Sequence, residues 1–125
     1  MIRRSPDSWI KCSTEFGKDA NSPARLGSVV TNHGYSDWAT QPYTPKEEYE
    51  LSFRMIKYHT NDVCIEYREE DSEPWKQIRI AHLFPLEDKQ ENIRIGLYCC
   101  SPIEEGFRVD FEYFNVTYLE ETPTD

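Results

Sequence analysis

The sequence predicts an all-β protein, an antiparallel β-sandwich of two layers, and three observations carry that prediction. Residues 93–116 show period-two patterning on either side of a turn: Ile93, Ile95, Leu97 and Cys99 alternate with Arg94, Gly96, Tyr98 and Cys100, and Phe107, Val109, Phe111 and Tyr113 alternate with Arg108, Asp110 and Glu112. Eight Tyr, six Phe and three Trp favour pleated, half-buried surfaces. Strand-like runs recur along the whole chain, separated by turn residues, at the spacing of antiparallel domains. A lone hairpin is marginal in water, so the 93–116 pair requires a second layer over its apolar side.

In chain order, residues 9–16 form the first expected strand, with Ile10, Cys12, Thr14 and Phe16 on one face and Trp9, Lys11, Ser13 and Glu15 on the other. A polar loop over 17–25 leads to a β-prone strand at 26–31, closed by the turn Asn32-His33-Gly34. Residues 35–45 read as an ordered loop carrying Asp37 and Trp38. Strands follow at 48–58, with Leu51, Phe53 and Met55 against Ser52 and Arg54, and at 63–68, with Val63, Ile65 and Tyr67 on one face. After a charged turn at 69–74, the strand at 75–83 sets Ile78 and Ile80 against Gln77 and Arg79. A loop over 85–92, with room for one short helical turn, precedes the final hairpin, in which Ser101-Pro102 and Gly106 break the alternation.

At 125 residues the chain reads as one domain, 1–125, with its core at about 8–118 and an acidic tail, 119–125, too poor in apolar surface to order itself. The formal net charge of -9 argues against nucleic acid and anionic membranes as partners. No apolar run approaches the roughly 18 residues of a membrane span, and no signal-peptide h-region follows Met1-Ile2-Arg3-Arg4, so a cytoplasmic location is expected. Asn115-Val116-Thr117 fits the N-glycosylation pattern and is expected to stay unmodified there. The four cysteines, Cys12, Cys64, Cys99 and Cys100, have no CxxC spacing and read as buried, reduced thiols.

Trp9-Ile10-Lys11, Ser28-Val29-Val30-Thr31, Ser36-Asp37-Trp38 and residues 93–106, together with a Glu-Tyr…Trp-Lys-Gln-Ile-Arg hairpin, occur in an order that resembles an uncharacterised domain family, the one that includes the fungal regulator-of-enolase protein. The resemblance covers roughly residues 8–116. It implies a jelly-roll sandwich of the concanavalin A-like lectin/glucanase type. Members of that family carry strands upstream of the Trp-x-Lys motif, whereas here the chain begins almost on top of it. Losing those strands would leave an open edge and an uncovered apolar face, so self-association, or a fragment of a longer product, is expected.

Glycan-cleaving sandwiches set two glutamates and an aspartate at alternate positions of one strand, and Glu69, Asp71 and Glu73 match that spacing. The intervening Glu70 and Ser72 are polar and Pro74 follows directly, so the run reads as a solvated turn. A polar stripe is the better candidate: Trp9, Lys11 and Glu15 on one strand face, Arg54 and Arg79 from other strands, and Asp37 with Trp38 on a loop. On a concave sheet these would stack a sugar ring and hydrogen-bond its hydroxyls. The competing structural account makes the charged members cross-strand ion pairs and the two tryptophans core plugs.

Calcium would need converging oxygens; Asp19, Asn21, Asn32 and Asp37 are available without diagnostic spacing, and no metal or cofactor is expected. Neither Ser101 nor Cys100 has an identifiable base, and there is no glycine-rich phosphate loop. The expected function is a non-enzymatic binding module for a carbohydrate or small polar metabolite. A regulatory protein-interaction domain and a glycan-active hydrolase stand behind it.

Overall fold

The computed structural model describes residues 1–16, 24–45, 50–87, 92–101 and 108–120. Among them are eight strands and no helix: β1 (Ile2–Ser5), β2 (Ser8–Glu15), β3 (Arg25–Asn32), β4 (Tyr35–Pro42), β5 (Ser52–Lys57), β6 (Asp62–Arg68), β7 (Lys76–His82) and β8 (Arg94–Ile95). They form two antiparallel sheets, one of five strands in the order β4-β3-β2-β1-β8 and one of three in the order β5-β6-β7. Among the described residues no helix is long and apolar enough to cross a membrane.

Alternation seals the space between the sheets. Ile2, Ile10 and Val30 from the larger sheet meet Val63, Ile65 and Ala81 from the smaller and Leu83 just beyond β7, with Cys12, Met55 and Ile78 packed at the margin. Ile10, Val63, Ile65 and Leu83 are fully buried. Burying each such side chain stabilises the fold by about 1.5–3 kcal/mol. Local turn chemistry then sets register. His33 (φ 52°) and Gly34 (φ 82°) both adopt positive φ in the two-residue loop between Asn32 and Tyr35, the primed turn whose twist suits a hairpin.

The structure departs from expectation at four places. Residues 2–5, ahead of the Trp-x-Lys motif, form β1, which pairs with β2 on one side and β8 on the other, so β2 has no open edge there. At four residues β1 is too short to announce itself by periodicity. Residues 35–42, expected to be a loop, form edge strand β4, whose outward exposure on both faces hides the alternation that strand reading depends on. On β7 the register shifts between Ile65 and Glu66, so Ile78 is an extra residue. Arg79 therefore faces inward with Ala81, while Ile80 turns outward, the reverse of simple alternation.

The fourth departure concerns the hairpin at 93–116. Its first half keeps only two residues in a ladder, and residues 108–119 carry none. Their apolar side chains, Val109, Phe111 and Tyr113 among them, are exposed. Cys99 and Cys100 are consequently exposed as well, rather than buried, while Cys64 is buried and all four thiols are free. The expected loop at 17–25, the turn around Gly106 and most of the acidic tail fall largely outside the described residues; of the 85–92 loop, the described residues carry no helical turn.

Candidate functional site

Four of the seven side chains singled out in the sequence share one surface, the face of the five-stranded sheet turned away from the core. Ile10 points inward, so alternation turns Trp9, Lys11, Ser13 and Glu15 outward. Opposite them on β3 are Thr31, Val29, Gly27 and Arg25, and beyond those on β4 lie Ser36, Trp38, Thr40 and Pro42. Lys11 and Glu15 reach toward each other along β2, Nζ to Oε1 3.7 Å, across the small residue Ser13. The same ammonium lies 4.9 Å from the centre of the Tyr98 ring, a cation–π contact.

Trp38 is 57% exposed and so is no core plug. Its indole edge leans over Gly27, where an added Cβ would meet Nε1 at 3.2 Å and Glu15 Oε1 at 3.4 Å. A glycine inside a strand costs stability, and close approach of neighbouring groups is the usual reason to keep one. The missing Cβ lets an indole N–H donor and a carboxylate acceptor converge above the β3 backbone. One row along, buried Thr31 shares a hydrogen bond with Ser36, Oγ1 to Oγ 2.8 Å.

Electrostatics at the margin favour neutral hydrogen-bonding groups over reactive ones. Hydrogen bonding to Cys100, then burial, raises the Tyr98 phenol, which keeps its proton and remains a donor. Cys12, facing inward beneath the site, is pushed up to about 11 by burial, with the Met1 amine pulling the other way. Its thiol is inert at neutral pH. The Met1 amine donates to the Gly96 carbonyl at 2.9 Å, and burial lowers its own pKa.

The other three side chains lie elsewhere. Asp37 and Trp38 are adjacent in sequence and therefore on opposite faces of β4; Asp37 turns toward the gap between the sheets, where Arg79 of β7 meets it. Arg54 lies on the far side of the molecule, on the outer face of the smaller sheet. Its Nη2 is 2.8 Å from Glu66 Oε1, and its guanidinium stacks 4.5 Å from the centre of the Trp75 ring, which Arg68 also contacts at 4.2 Å. The expectation of one stripe holding all seven is thus corrected to a group of four, an Asp37–Arg79 ion pair between the sheets and Arg54 paired with Glu66 on the smaller sheet, because sequence spacing cannot assign strands to sheets.

The acidic run 69–73 forms the β6–β7 turn, with the Glu73 amide donating to the Glu70 carbonyl at 3.0 Å. Asn32 spends its amide on structure, donating to the His82 carbonyl and accepting from the Phe84 amide, both at 2.9 Å. Asp19 and Asn21 lie outside the described residues. Among the described residues no three His, Cys, Asp or Glu side chains converge to hold a metal. At one end of the sandwich Asp62 binds His82 Nδ1 at 2.8 Å, but Thr60 donates to the same carboxylate rather than facing the imidazole, so no triad forms.

Tyr98, Gly27 and, on the same face, Arg3 and Arg94 join the four without having been singled out in the sequence. Period two gave Arg94 and Tyr98 a common face, yet nothing in it says which strand lies alongside.

A two-sheet, all-β domain with an aromatic and polar outer face is the class that these observations define. Within that class, the chain belongs to the family described as protein of unknown function (DUF1349), whose model matches residues 1–119. No curated protein and no solved structure matches the chain.

Proposed function

We propose that the domain is a non-enzymatic binding module that takes a carbohydrate or a small polar metabolite on the outer face of its five-stranded sheet. The observation that supports this reading is the convergence of Trp38 Nε1 and Glu15 Oε1 above Gly27, beside the Lys11–Glu15 pair and the Tyr98 ring. A donor, an acceptor and an ammonium next to exposed aromatic surface match what a sugar ring offers: C–H faces for stacking and hydroxyls that both give and accept. The concanavalin A-like fold type, the kinship to the fungal regulator-of-enolase protein and a cytoplasmic setting belong to this same proposal.

A glycan array tests it, with Trp9→Ala and Lys11→Ala as controls. Binding that is present in the native protein and lost in both variants is the expected result. Binding that survives both substitutions would remove the site from consideration.

A further inference from the structure

Three side chains stand abreast on the outer face of the five-stranded sheet, one on each of three neighbouring strands. Arg94 of β8 is the register partner of Arg3 of β1, and Arg3 is in turn the partner of Trp9 of β2. Residues directly opposite in an antiparallel pair hold their Cβ atoms about 4.5–5.5 Å apart, and like charges there are unfavourable. The chain has 23 acidic residues against 14 basic ones, yet among the described residues no carboxylate pairs with either arginine. Arg3 makes one hydrogen bond, from Nε to the Ser5 carbonyl at 3.2 Å, which leaves its two terminal nitrogens for another partner. Both side chains are exposed.

We propose that Arg3 and Arg94 bind the phosphate of a phosphorylated sugar or polyol whose ring rests at Trp9. This rests on the reading of the Trp9 face as a binding surface. Two planar guanidinium forks side by side present more donors than one carboxylate can satisfy, whereas a phosphate monoester brings three outer oxygens and close to two negative charges. Lys11, the next cation along β2 from Trp9, is already engaged by Glu15 and Tyr98. The net charge of -9 repels anions at long range, so recognition depends on short-range fork geometry and falls with salt.

The experiment is a set of amide and indole NMR titrations of the whole chain with inorganic phosphate, glucose and glucose 6-phosphate, repeated on Arg3→Gln and Arg94→Gln. The expected result is that phosphate shifts Arg3, Arg94 and the Trp9 indole. Glucose 6-phosphate then binds at least about tenfold tighter than glucose, the scale of one charge-assisted contact, and either substitution erases that advantage without changing strand content. Equal binding of the two sugars, unaffected by the substitutions, overturns the phosphate site and leaves the sugar platform standing. Shifts with phosphate that neither sugar portion strengthens uphold the arginine site and remove the platform. No response to any of the three overturns both.

Discussion

Arg79 of β7 reaches Asp37 of β4 across the gap between the two sheets, Nη1 to Oδ1 3.6 Å. Asp37 pairs with Val30, whose side chain is buried in the core, so the carboxylate lies on the inward side of an edge strand. An inward charge there also discourages edge-to-edge pairing with another chain. Since Asp37 is 72% exposed, the ion pair is screened, and Asp37→Ala is expected to cost at most about 1 kcal/mol, less at high salt. Arg79→Ala should cost more, because its half-buried stem packs against the core margin. Urea unfolding at low and high salt separates the two, and neither change should alter binding on the outer face.

The heart of the sandwich predicts a much larger effect. Ile65 is fully buried and stands between Met55 and Arg79 in the ladder of the smaller sheet, where nothing can collapse into the space its side chain leaves. Ile65→Ala should destabilise by about 2–5 kcal/mol in a denaturant series. A loss below about 1 kcal/mol would mean that the two sheets do not pack face to face there.

Two glycines separate packing from backbone strain. Gly34 has φ 82° and open space around it, so Gly34→Ala should destabilise the β3–β4 turn by about 1 kcal/mol through conformation alone. Gly27 has no such strain; its Cβ would press on the movable edge of Trp38. Gly27→Ala should leave the melting temperature nearly unchanged while shifting the Trp38 emission and weakening whatever binds there. An unchanged emission spectrum would show that the indole does not rest on this backbone.

Much of this was legible in the residues and some was not, for physical reasons. Burial on one face only makes alternation visible, which is why Ile10 against Lys11 and Val63 with Ile65 were readable. β4 is exposed on both faces, so Trp38 and Asp37 gave no period and their opposite orientation stayed hidden. β1 has four residues, too few for a pattern, and with it went Arg3. The bulge at Ile78 inverts Arg79 and Ile80, a shift that no single-strand period encodes. Arg54 sits apart from the stripe, on the smaller sheet, because membership of a sheet is a long-range property that local spacing does not encode.

Acid should loosen one end of the molecule through a single pair. The hydrogen bond to His82, then that from Thr60, holds the Asp62 carboxyl below its ordinary value of 3.8. A carboxylate depressed in the folded state contributes stability that is fully present above its unfolded pKa and is lost as pH falls through its folded pKa. Asp62→Asn should therefore melt below the native protein near neutrality, with the gap closing as pH drops below the ordinary carboxylate range. Melting curves across that window check it; a gap that is constant with pH would remove the ionised pair from the account.

Thiol chemistry offers a test of the C-terminal half that needs no ligand. Cys99 and Cys100 are exposed because the ladder stops at Ile95, whereas Cys64 is buried within the smaller sheet, opposite Ile80 in the ladder, and Cys12, pushed up to about 11 by burial, faces the interior. Reaction with a disulfide reagent requires both access and a thiolate, so at neutral pH two of the four cysteines should react quickly and the other two only on unfolding. Because Lys11 lies over the Tyr98 ring and the Tyr98 hydroxyl bonds Cys100, modification at Cys100 should also weaken binding on the outer face, while modification at Cys99 alone should not. Cys99→Ser and Cys100→Ser, each labelled and then titrated, distinguish the two. Four slow thiols would instead mean that residues 96–101 are paired and covered, and that the alternation of Ile93, Ile95, Leu97 and Cys99 is satisfied by a longer ladder.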